Sequence, residues 1–157
     1  MKQILIIHGG NSFSTYSAYL KYLKQHKLDY ANLIYNQNWR SWIAGELPTY
    51  DVLTPTMPNS ANAKFLEWST YFEKMLSLLS SDFQLVGHSL GGMFLVKYLQ
   101  KNPLKNKAKR IILIAPGYND ESKEEMGSFK IKSAKKIIKS SDNIHLFHSK
   151  NDPIVPI

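Results

Sequence analysis

Five residues, Gly87-His88-Ser89-Leu90-Gly91, follow the spacing G-x-S-x-G. The chemistry this spacing suits is nucleophilic attack by a serine hydroxyl. An apolar strand-like run precedes Ser89 and an apolar helix-like run follows it (FQLV and MFLVKYL). In that context the serine occupies a sharp strand-to-helix bend, and its hydroxyl projects above the sheet. Gly87 and Gly91 stand where side chains would collide with neighbouring backbone, and Gly92 lets the following helix approach closely. The helix start also offers a free N–H at Leu90 and the positive end of the helix dipole, both suited to holding an oxyanion. A serine N-cap on an ordinary glycine-rich turn would explain Ser89 and one glycine. It leaves the other two glycines and the His8-Gly9-Gly10 turn unexplained.

The elements that must position this bend are legible from periodicity. Residues 3–8 form a continuous apolar run ending at Gly9-Gly10, the pattern of a strand buried on both faces. Residues 50–54, 82–88, 110–115 and 143–148 read as further strands, and 30–35 as a short one. Helical spacing marks 15–25, 62–79 and 90–101, with a weaker turn of helix at 39–47 and a short basic helix at 131–138. Residues 119–129 are polar and loop-like. Alternating strands and helices predict an α/β fold: a mainly parallel sheet with helices on both faces, in three layers, forming one domain over residues 1–157. In such sheets ligands bind beyond the carboxyl ends of the strands. The positions there are His8-Gly9-Gly10, residues 55–59, Ser89, residues 116–120 and Asp152.

Composition narrows the function classes. Hydrophobic residues make up 43% and charged residues 20%, which is ordinary globular usage and argues against disorder. With no cysteine, disulfides, thiol catalysis and cysteine metal sites are excluded. No His, Asp and Glu spacing suits a metal, and no nucleotide-binding glycine motif occurs, so no cofactor is expected. The N-terminal apolar run is too short to span a bilayer and lacks a signal-peptide pattern, so a cytoplasmic protein without membrane association is expected. The net charge of +8 comes mostly from lysines, with Arg40 and Arg110 the two arginines. Nucleic-acid recognition draws on arginine forks and recognisable motifs. Neither is present, so the lysines read as solvated helix faces and no nucleic-acid partner is expected.

Three segments together resemble the small serine hydrolases related to retinoblastoma-binding protein 9 and the YdeN-type bacterial esterases, within the α/β-hydrolase superfamily. They are the strand running into His8-Gly9-Gly10-Asn11, the Pro55-Thr56-Met57-Pro58-Asn59 turn with Trp68 downstream, and G-H-S-L-G followed by a strand ending in Ala115-Pro116. The resemblance implies a minimal hydrolase without a large lid. It makes Ser89 the nucleophile of an acyl-enzyme mechanism on a small ester. Asp152, in Ser149-Lys150-Asn151-Asp152-Pro153-Ile154-Val155-Pro156, becomes the acid that orients the base. The oxyanion donors would be the backbone amides of Leu90 and of Gly10 or Asn11. His8, His88, Met57, Pro58 and Asn59 would line the substrate pocket, with Trp68 either lining it or belonging to the core.

The superfamily order is serine, acid, histidine, yet no histidine follows Asp152 in this sequence. The expectation is therefore that the catalytic histidine, with a final strand and helix, lies beyond residue 157. A rival set, Ser89, Asp120 and His148, keeps that order within the sequence. A different class of function also remains open: a hydrolase scaffold that binds a protein partner without turnover.

Overall fold

The computed structural model describes residues 2–117 and 126–155. Five strands, β1 (Lys2–Ile7), β2 (Tyr50–Leu53), β3 (Phe83–His88), β4 (Arg110–Ile114) and β5 (Ile144–Phe147), form one sheet in the order β2-β1-β3-β4-β5. Every neighbouring pair is parallel, with Ile4 opposite Val52 and Gln84, and Ile111 opposite Ile144. The helices are α1 (Tyr16–Gln25), α2 (Trp39–Glu46), α3 (Phe65–Leu76) and α4 (Leu90–Lys101).

Alternation along the strands divides the core in two. On one face Leu5, Ile7, Leu85, Ile111 and Leu113 pack with α3 and α4 around the fully buried Trp68, Phe72 and Phe94. On the other face Ile4, Ile6 and Val86 meet Trp39 and Ile43 of α2. Helices thus cover both faces, which is the expected α/β arrangement. Aromatic edges supply much of the larger core: Phe94 meets Phe72 at 5.2 Å and Trp68 at 5.7 Å between ring centroids, both T-shaped. β5 is an edge strand, and it leaves Leu146 and Phe147 exposed.

Three sequence expectations need correction. Residues 30–35 do not form a strand; Tyr30–Leu33 is a 3-10 turn, started by Asp29 Oδ1 accepting from the Ala31 amide at 2.9 Å. Its apolar side chains are exposed, so no sheet partner draws the segment into extension. The basic helix at 131–138 shrinks to a 3-10 turn at Ile137–Lys139. Lys132, Lys135 and Lys136 would repel at helical spacing, and the Ser133 hydroxyl takes the Lys135 amide. α3 starts at Phe65 rather than Asn62, because Asn59 is left-handed and Ser60–Asn62 forms its own 3-10 turn.

Candidate active site

The site is built where β3 ends. Ser89 adopts φ 52° and ψ −123°, a combination that L residues avoid unless their surroundings impose it. Several contacts impose it. The Ser89 amide donates to Ile114 O at the end of β4 (2.8 Å), while Ser89 O accepts from Gly92 and Met93 in the first turn of α4. A Cβ on Gly87 would lie 2.7 Å from Gly91 O, and one on Gly91 only 2.2 Å from Ile7 O. The bend therefore exists because β1, β3 and α4 meet backbone to backbone. Ser89 is partly exposed, and its side chain does not cap the helix that it begins.

Position 9 brings the neighbours together. A Cβ built on Gly9 would sit 3.4 Å from His88 Nδ1 and 3.5 Å from Ser89 Oγ, so both side chains border the space above this glycine. Leu90 opens α4, where a first-turn amide has no intrahelical acceptor. Gly10 lies against Ser60 O and the Leu90 side chain. Asn11 is corrected as an oxyanion donor: its amide already donates to Ser60 O at 2.9 Å.

His8 is not a free pocket residue. The Met57 amide donates to His8 Nε2 at 2.8 Å, so that nitrogen must be unprotonated. His8 Nδ1 then carries the proton and donates to Gly9 O. The neutral ring ties the end of β1 to the loop after β2, with its face edge-on to Trp68 at 5.8 Å. Burial holds His8 below its ordinary value of 6.5; the bond to Gly9 opposes this, and Arg40 adds to it. His88 is lowered too, by burial first, then by Arg40 and by His8, with Asp152 acting the other way. The sign follows from linkage: the unfolded chain binds more protons just below pH 6.5, so stability is full above that value and falls as pH drops below it. The urea midpoint should therefore decrease between pH 7.5 and 5.5. A His8→Gln, His88→Gln double variant should lose less over the same interval, and a loss equal to that of the parent would show that these rings are not responsible.

The remaining expected pocket residues divide. Met57 borders the cleft described below while its side chain, 1% exposed, packs into the larger core cluster. Trp68 is likewise core, although its Nε1 donates to Pro58 O at 2.8 Å and so shapes the turn. Asn59 Nδ2 donates to Glu67 Oε2 at 3.0 Å. A cleft of about 550 Å³ runs past Tyr16, Tyr19, Thr56, Met57, Asn59 and Glu67, and meets the loop after β1 at Ser60, whose carbonyl accepts from the Asn11 amide. Neither this groove nor the Met57–His8 bond was legible from the sequence, since both join segments remote along the chain.

Asp152 follows β5. Its Oδ1 accepts from the Ile154 and Val155 amides, both at 2.9 Å, and these two bonds lower its pKa, with smaller help from His148 and His88. Its charge is among those that act on His88. His148 Nε2 donates to Val155 O at 2.7 Å, which fixes that ring within the same turn. Asp120, of the rival set, lies outside the described residues. Three of the described histidines have fixed surroundings: His8 has both ring nitrogens engaged, His148 Nε2 is tied to Val155, and His88 packs edge-on to Trp39 at 5.6 Å. Among the described residues no cluster of His, Asp and Glu could hold a metal, and no helix is long and apolar enough to cross a membrane.

Comparisons with known proteins bear on the fold and the family. No curated protein matches significantly. The crystal structure of the YdeN gene product from B. subtilis superposes with a TM-score of 0.75 at 24% identity, covering 100% of this chain and 76% of that one. A protein from Pectobacterium atrosepticum described as a YdeN-like hydrolase gives a TM-score of 0.56 at 14% identity, over 99% of this chain and 68% of the other. At such identities these two likenesses speak for the fold, an α/β-hydrolase one. The family assignment comes from the sequence itself: residues 34–157 match the serine hydrolase family model, and the chain belongs to that family.

Proposed function

We propose that this hydrolase cleaves small carboxylic esters through an acyl-enzyme on Ser89. The Ser89 Oγ adds to the ester carbonyl and gives up its proton to a general base. The C–O bond then breaks, and the alcohol leaves with that proton. Water adds to the acyl-enzyme, the C–Oγ bond breaks, and a carboxylic acid departs with Ser89 restored. The Leu90 and Gly10 amides are proposed to hold the oxyanion, and Asp152 to orient the base. His88 and Asn59 are proposed as substrate neighbours, within a single hydrolase domain.

The observation that carries this reading is the strained backbone at Ser89, φ 52° and ψ −123°. A structural N-cap has no need of such torsions, whereas a hydroxyl presented for attack does. In a folded form of the protein that carries its general base, a fluorophosphonate probe should therefore add with the mass of one phosphonate, located by peptide mapping on Ser89. Folded protein that takes up no probe would favour the alternative, a hydrolase scaffold that binds a partner without turnover.

A further inference from the structure

We infer that Arg40 holds a carboxylate on the substrate, so that the preferred esters carry a negative charge close to the scissile bond. This rests on the hydrolase reading above and adds the substrate class. Arg40 is the second residue of α2, and its Nη1 is buried with no hydrogen-bond partner among the described residues. A guanidinium cannot relieve that situation by losing a proton, so the unmatched donor is costly until an acceptor arrives.

Its position says where the acceptor would sit. Trp39, the preceding residue, packs edge-on to His88, which is bonded directly to Ser89. The Arg40 charge is felt by both His8 and His88, and His88 Nδ1 borders the space above Gly9 together with Ser89 Oγ. Burial keeps both rings neutral-leaning, so they offer Arg40 no negative charge. The carboxylate felt within this group is Asp152, and its Oδ1 is occupied by two amides of its own turn. The α2 amides nearby are satisfied as well, since Asn38 Oδ1 accepts from Arg40 N and Ser41 N. What remains unmatched is one cationic donor, Arg40 Nη1, on the helix whose Trp39 packs against the residue preceding the nucleophile. A fork pairs bidentately with a carboxylate, which a lysine does not do, and this lysine-rich chain places one of its two arginines here.

The test compares 4-acetoxybenzoate with its uncharged methyl ester, which share the same acetyl group and differ in charge. Arg40→Ala should lower the ratio of kcat/KM values, acid over methyl ester, by about tenfold or more, in line with a charge-assisted hydrogen bond. Arg40→Lys, which keeps the charge without the fork, should fall between. A purely structural role would slow both esters alike and leave the ratio unchanged, which would overturn the inference. Calorimetric binding of 4-acetoxybenzoate to Ser89→Ala, with and without Arg40→Ala, separates this idea from the hydrolase reading. Binding that disappears with Arg40 supports the carboxylate site even if nothing is hydrolysed. Binding that is absent throughout, or undiminished without Arg40, overturns it even if Ser89 proves to be the nucleophile.

Discussion

Ser89→Ala is expected to reduce hydrolysis of 4-nitrophenyl acetate by about a thousandfold or more, with the unfolding midpoint unchanged. Removing a nucleophilic hydroxyl leaves only the oxyanion amides and binding to accelerate the reaction, which accounts for losses of this size. Stability should not suffer, because the hydroxyl makes no capping bond and the residue is partly exposed. A companion variant sharpens the point. Ser89→Gly removes the same hydroxyl and also relieves the φ of 52°, which glycine adopts freely. It should be equally inactive yet more stable by about 1 kcal/mol, the order of strain stored at such a residue. Steady-state kinetics and urea denaturation of the two variants check both halves. Activity persisting in Ser89→Ala would place the chemistry elsewhere.

Gly91→Ala is expected to cost the largest share of the fold's stability. The added carbon would sit 2.2 Å from Ile7 O and 2.6 Å from His8 O. Those atoms are backbone, and β1 cannot retreat from them because it is paired with β2 on one side and β3 on the other. Overpacking commonly costs about 1–3 kcal/mol when side chains can adjust. Here they cannot, so a loss above about 3 kcal/mol is expected, against a total stability of roughly 5–15 kcal/mol for a domain. Gly45→Ala is the control. It lies in α2 with nothing within 4 Å of the added carbon, and should stabilise by about 0.5–1 kcal/mol. Denaturant titration of both proteins measures the contrast, and a mild effect at Gly91 would mean that β1 and α4 are less tightly joined than described.

These two sites also show which parts of the molecule the sequence discloses. The nucleophile bend was readable because its causes are local: an apolar strand, three glycines and an apolar helix fall within fifteen residues or so. β1 and β4 were readable for the same reason, since near-continuous apolar runs suit the strands of a parallel sheet, whereas the edge strands β2 and β5 stay partly exposed. The segment at Tyr30–Leu33 misled because its apolar residues point to solvent, where hydrophobicity carries no information about pairing. Met57 was readable as a cleft residue from its place after a strand, but the packing of its side chain into the core and the bond from its amide to His8 were not. Asn11 lost its expected role to a bond with Ser60, a partner remote in sequence. Arg40 was noted only as one of two arginines, because its lack of an acceptor is a property of three-dimensional surroundings.

The central place of β1 has a consequence for how the chain comes into being. The first strand synthesised pairs with Tyr50–Leu53 on one side and with Phe83–Gly87 on the other, so Gln3 must wait for Phe83, about eighty residues later. While the ribosome is still extending the chain, this apolar strand lacks its β3 neighbour, and local helices form first. Closing such long loops before any reward is the step that slows parallel sheets. The geometry that presents Ser89 is therefore assembled late, since its walls come from Ile7, Gly87, Gly91 and Ile114 at once.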